Sequence, residues 1–342
     1  MARAGLPRSL RDWAVLLALL AYATPFFWQL LTSLKPEAEL MVLPPLFPSR
    51  LTWEHYRVVL GQSVMLRALV NSLGVGIITT VLALALGIFG AYGIARYPIP
   101  GKALLLLLIV GGTAFPQIAT VSPLYLLMRA LSLRDTWLAL ILANTSFALP
   151  LVIWLLTGFL QEIPVGLEEA ASVDGASRPR AFRWIVLPLL APGLASAALL
   201  TFLFSWNEFL FAYTFTATEA SRTVPVALAL FPGVFEVPWG DIAAASILAS
   251  IPPVALVVGL QRYLVRGLLS GALQSKASSG VRSHIPTLVR WTRVSPRVRL
   301  ESWIALALAS AHGTAASYRV SRRAISRYRS RQWAPGHLRR RH

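Results

Sequence analysis

The sequence predicts an all-α, polytopic membrane protein with six transmembrane helices. Three observations lead there. Hydrophobic residues make up 56% of the 342 positions, mean hydropathy is +0.62 and only 13% are charged, against about a quarter charged in a soluble domain. Six stretches contain no Asp, Glu, Lys or Arg: Trp13–Leu34, Ala68–Ala95, Ala103–Met128, Thr136–Gln161, Trp184–Asn207 and Ile242–Gln261. Each is long enough to cross a bilayer, which takes roughly 20 residues. In hydrocarbon a backbone must satisfy its own hydrogen bonds, so these runs read as helices.

Each span has its own qualification. The first follows Arg3, Arg8 and Arg11 and contains Ala21-Tyr22-Ala23, a pattern shared with cleavable signal peptides. Its apolar run continues through Pro25-Phe26-Phe27-Trp28 to Leu34, which favours an uncleaved anchor. Pro116, Pro150, Pro252 and Pro253 lie inside later spans and are expected to kink or interrupt them. Such breaks are tolerated where protein or a water-filled cavity covers the freed carbonyls.

Basic residues in short loops set the orientation. With the N-terminus inside, Arg96, Lys102, Arg178, Arg180 and Arg183 are cytoplasmic, and so is the tail. Lys35, Arg50, Arg57, Arg67, Arg129, Arg134 and Arg222 then lie outside, partly offset by Glu37, Glu39 and Glu54. Both termini are therefore expected in the cytoplasm. The net charge of +18 is concentrated in Val281–His342, which holds 14 Arg against one Glu. Residues 1–12 read as a short cytoplasmic start, 13–272 as the six-helix domain and 273–342 as a basic extension.

Two outer loops are long, Lys35–Arg67 and Glu208–Asp241. Either could receive a partner, or simply hold interfacial aromatics. There is no Cys, which excludes disulfides, thiolate metal sites and Cys nucleophiles. No Gly-x-x-x-x-Gly-Lys-Ser/Thr loop is present. No catalytic or metal-ligating residue and no bound cofactor are expected.

The loop of residues 162–183 carries the most information. Pro164 suits the first turn of a helix, and Glu168 and Glu169 sit near its positive end. Leu167, Ala170 and Ala171 fall at i, i+3 and i+4 and make a small apolar face. Gly175 supplies a left-handed stop. This is a short amphipathic helix held between two spans. It can dock on another protein or lie on lipid. Two adjacent carboxylates favour docking, because lipid headgroups prefer basic faces.

The string Glu169-Ala170-Ala171, Gly175, Ile185 and Leu187-Pro188 resembles, at every position and spacing, the EAA motif of ABC-transporter permeases of bacterial importers. By that resemblance the loop is a coupling helix that docks on a cytoplasmic ATPase, with Glu169 and Gly175 as central contacts and Asp174 beside them. Thr32-Ser33-Leu34-Lys35, Asn71-Ser72-Leu73, Ala91-Tyr92-Gly93-Ile94-Ala95-Arg96, Pro123-Leu124-Tyr125, Ser205-Trp206-Asn207-Glu208-Phe209 and Gln261–Leu268 resemble the carbohydrate-importer branch of the maltose-transporter type, in its smaller permease. The resemblance covers Trp13 to Ala272. It implies a type I ABC importer permease fold and a bacterial or archaeal cytoplasmic membrane. It also implies a second permease as heterodimer partner, two cytoplasmic ATPases and an external solute-binding protein.

A self-powered secondary transporter is the rival class. Such proteins keep an ionisable group inside the membrane, and the six spans are free of charge. Asn144, Trp206 and Asn207 are the candidate substrate-pathway residues, since sugars bind by hydrogen bonds and by stacking on aromatic faces. The opposing reading makes Asn144 and Asn207 interhelical glue and Trp206 a membrane-interface anchor. The tail departs from the family. It reads as a disordered extension, as a patch for anionic lipid, or as a nucleic-acid binder; the first is favoured because no periodicity or caps organise it, and nucleic acid is not an expected partner.

Overall fold

The computed structural model describes residues 8–40, 46–231 and 237–277. Expectations for residues 1–7 and for the basic tail past Ala277 lie outside the described residues. Among those described, every regular element is helical. The helices are α1 (Arg8–Ser33), α2 (Glu37–Leu40), α3 (Glu54–Gly61), α4 (Ser63–Arg96), α5 (Lys102–Gly111), α6 (Gln117–Ala130), α7 (Trp137–Glu162), α8 (Gly166–Val173), α9 (Arg178–Ala181), α10 (Leu187–Leu189), α11 (Ala191–Trp206), α12 (Leu210–Phe215), α13 (Val224–Ala229) and α14 (Trp239–Ala277).

Four of these, α1, α4, α7 and α14, are each long and apolar enough to cross a membrane. Two further spans are bent pairs. Lys102–Ala114 meets Gln117–Ala130 at 86°, and Arg178–Leu189 meets Ala191–Trp206 at 71°. The six apolar runs thus give four continuous spans and two bent pairs, six spans in all when each pair is one broken span. The spanning helices overrun the expected bounds: α1 starts at Arg8 rather than Trp13, and α14 runs on to Ala277.

The prolines act differently from one another. Pro116 interrupts its span as expected: Phe115 and Pro116 are both extended, because a proline disfavours helical backbone at the residue before it. Pro150, Pro252 and Pro253 stay inside continuous helices. The second break falls at Leu190, between Pro188 and Pro192. Each of these prolines removes an N–H to the carbonyl four residues earlier. A π-helical turn, Phe182–Val186, leads into the break.

The core forms where α4, α7 and α11 pack on one another; α14 packs on α11, and α1 and α3 on α14. Small residues allow the approach, as between spanning helices generally. A Cβ on Gly74 would stand 2.3 Å from the Trp137 ring, and one on Gly87 would stand 2.5 Å from Val152 Cγ1. Toward the α8 end the core is Ala83, Ala91, Val152, Leu156, Val186 and Leu190. Toward the opposite end it is Val75, Leu140, Phe211 and Phe215, with a neighbouring cluster around Met65, Phe202 and Ala245.

At that opposite end, side chains staple the loops to the bundle. Asn71 on α4 donates from Nδ2 to the carbonyls of Ala220 (2.9 Å) and Arg222 (2.8 Å), and accepts from Trp137 Nε1 at 3.0 Å. Ser72 Oγ accepts from the Val224 amide at 2.8 Å. Asp135, at φ +60, accepts from the amides of Ala217 and Thr218 and from the hydroxyls of Thr218 and Ser221. Burial opposes its ionisation. Those hydrogen bonds outweigh the burial and hold the carboxyl well below the usual carboxylate range. His55 is buried and sits 2.7 Å from Asp241 Oδ1 and 2.9 Å from the Lys35 carbonyl.

Candidate functional site

The loop between α7 and α10 is built from local backbone rules. Ile163 is extended and ends α7. Pro164 stands just ahead of α8 rather than within it, and its carbonyl accepts from Leu167 at 3.2 Å. Glu168 and Glu169 occupy the first turn, where the exposed amides favour negative charge. At the other end Gly175 has φ +84. Its amide bonds the Ser172 carbonyl at 3.1 Å, and the Ala176 amide bonds the Ala171 carbonyl at 2.9 Å. This is a Schellman closure, whose left-handed position suits glycine.

The two glutamates have opposite surroundings. Glu168 turns into the molecule. Arg96 Nε donates to its Oε1 at 2.6 Å and Tyr92 Oη to its Oε2 at 2.7 Å. Both ion-pair side chains are largely buried. Arg96 also donates from Nη2 to the Ile163 carbonyl at 3.0 Å. Removing one member of such a buried pair costs about 3–5 kcal/mol. Glu169 is exposed, with Leu167, Ala170, Val173 and Asp174. The expected apolar face of Leu167, Ala170 and Ala171 is therefore corrected: Ala171 is buried, and Val173, 88% exposed, takes its place.

A cleft of about 300 Å³ opens beside this face, lined by Tyr92, Arg96, Tyr97, Val165, Glu168 and Glu169 among others. Arg178 closes one side, its guanidinium 5.8 Å from the Tyr97 ring and its Nη1 3.2 Å from Tyr97 Oη. Past it, Ile185 is half-buried in the π-helical turn, Leu187 packs on the buried core, and Pro188 is exposed at the first turn of α10. The sequence motif is thus gathered into one unit of exposed face, turn and buried anchor.

The candidate pathway residues are not gathered in this way. Asn144 is buried and donates from Nδ2 to Ser205 Oγ at 2.9 Å; its Oδ1 has no partner among the described residues. Trp206 is buried and stacks on Phe202, ring centroids 5.5 Å apart. Asn207 is exposed, and its Nδ2 bonds the Leu203 carbonyl at 2.7 Å. Sequence reasoning missed the roles of Arg96, Asn71 and Asp135. Arg96 and Asn71 stand in strings the sequence had marked, but their partners lie 72 and 149 positions away.

A family profile described as "Binding-protein-dependent transport system inner membrane component" matches residues 83–270, which spans α8 and every position of the motif from Glu169 to Pro188. The chain belongs to that family. This permease is 46% identical over 266 residues to the trehalose transport system permease protein SugB of Mycobacterium tuberculosis, covering 77% of its own length and 97% of the relative's. It is 36% identical to the trehalose/maltose transport system permease protein MalG of Thermococcus litoralis, covering 77% and 95%. Among solved structures, a bacterial ABC transporter involved in the import of the polysaccharide alginate superposes with a TM-score of 0.63 at 21% identity, over 75% of this chain and 98% of that one. That likeness supports the fold, a multi-pass bundle of helices; the family profile and the relatives make the chain a permease of the ABC-importer type. Its family is one of transport proteins, not of enzymes.

Proposed function

We propose that this permease forms, with a second permease, the membrane path of an ATP-driven importer for a small carbohydrate, with a trehalose-type disaccharide the first candidate. Relatives named for trehalose and for trehalose and maltose support the substrate class. The observation that carries the coupling is α8, an exposed face of Glu169, Leu167, Ala170 and Val173 on a helix anchored between two spans.

In this reading Glu169 meets a basic groove on one of two ATPase subunits, and Asp174 adds charge at the helix end. Gly175, exposed at the turn, is the second contact, and Ala171, Ile185, Leu187 and Pro188 shape the loop. ATP belongs to the ATPases, and this chain holds no cofactor. An external binding protein delivers the sugar at the end held by Asn71 and Asp135. Both termini then lie on the ATPase side, in the cytoplasmic membrane of a bacterium or archaeon. Asn207 is open to the path in this conformer, whereas Asn144 and Trp206 reach it only if α7 and α11 separate.

The test is uptake of labelled trehalose into proteoliposomes holding the permease, its companion permease and the ATPase. Uptake that needs ATP together with the binding protein supports the reading. Uptake driven by an ion gradient without the ATPase contradicts it.

A further inference from the structure

We infer that Glu168, Arg96 and Tyr92 form a positioning clasp that makes α8 and the adjoining end of α4 move as one body, so that Glu168 passes on the displacement that Glu169 receives. The inference rests on the docking role proposed for α8.

The geometry is specific. A single guanidinium joins three elements: Arg96 closes α4, its Nε holds Glu168 on α8, and its Nη2 holds Ile163 at the end of α7. Tyr92, one turn earlier on α4, holds the second carboxylate oxygen. Charge-assisted bonds of 2.6 and 2.7 Å that engage both oxygens fix direction as well as distance.

The clasp matters because α8 otherwise packs on the chain that follows it, α9 and the π-helical turn, more than on α4. It has eight residues, and the backbone bonds that start and end it are local ones among Pro164–Ala176. A helix on such links can swivel when pushed. The second tether, Arg178 to Tyr97, is exposed, and exposed contacts hold little. α4, by contrast, packs along both α7 and α11. A push on Glu169 reaches the bundle only if α8 cannot turn independently, and the neighbouring glutamate prevents that turn. Physical coupling of this kind needs a contiguous, discrete contact.

Distances read the clasp directly. The chain has no native Cys, so nitroxides can be placed at Phe89 on α4 and at Ser172 on α8, both exposed and Ser172 outside the docking face. The complex with companion permease and ATPase is measured by pulsed electron resonance, without nucleotide and with ATP plus vanadate. The native Phe89–Ser172 distribution is expected to keep its peak and width in both states. In Glu168→Gln and Arg96→Met it should broaden and shift with nucleotide, while the ATPase still co-purifies and ATP-driven uptake per ATP hydrolysed falls about tenfold.

Exchange of the pair, Glu168→Arg with Arg96→Glu, should restore part of the narrow distribution. A native distance that itself changes with nucleotide overturns the clasp, and so does a Glu168→Gln distribution like the native one. Lost ATPase binding in Glu168→Gln also overturns it, because the carboxylate would then face the partner. The docking reading fails separately, through Glu169→Lys that keeps its ATPase.

Discussion

Glu168 and Glu169 are chemically identical neighbours, and the fold turns one inward and leaves the other in solvent. Which one turns inward is set by Arg96, which lies 72 positions away in sequence. Nothing in the spacing of the loop fixes the phase of α8 against α4, so the sequence marked both carboxylates as docking groups. Gly175 was legible, because a left-handed helix end calls for glycine. Gly175→Ala at φ +84 is expected to cost about 1 kcal/mol, seen as a lower melting temperature of the purified permease. Gly166→Ala, in helical backbone with open space around it, should not lower it. Asp135 gives a pH prediction. Its folded pKa is depressed, so its stabilisation is present above the ordinary carboxylate value, near 4, and is lost as pH falls through the folded value. Thermal stability attributable to Asp135 should stay flat from about pH 8 to about pH 5 and fall only in stronger acid. Asp135→Asn should lower stability across that whole plateau. A native profile that already falls between those limits would count against the clamp.

At the scale of elements, hydrocarbon length made all six spans readable, since a bilayer demands about 20 apolar residues whatever the fold. The breaks were less readable. Pro116 follows Gly111 and Gly112, weak helix formers, whereas Pro150 is isolated inside a strongly helical run. Pro188 and Pro192 are four apart, so the carbonyl of the first also loses its donor to the second. That pattern was present in the sequence and went unused. Tight packing was not visible there, because a glycine in a span does not name the ring it faces. Gly74→Val should drive α4 from Trp137 and break the Trp137–Asn71 bond. Overpacking of this kind costs about 1–3 kcal/mol, and the expected outcome is a lower melting temperature and aggregated protein on size exclusion. Gly158→Ala, with nothing within 4 Å of the new methyl, should remain monodisperse.

At the scale of the whole molecule, the described residues form a helical bundle with the exposed face of α8 at one end and stapled loops at the other. The family profile ends at residue 270 and α14 at Ala277. A chain cut after Ala277 is therefore expected to transport at the native rate, and lost uptake would give the basic extension a role. The central claim is that α8 couples this permease to an ATPase through Glu169. Its most direct measurement is Glu169→Lys, assayed together for membrane insertion, ATPase co-purification and ATP-driven trehalose uptake. Native insertion is expected, with ATPase binding weakened and uptake abolished. Full uptake with the ATPase bound as in the native complex would contradict it.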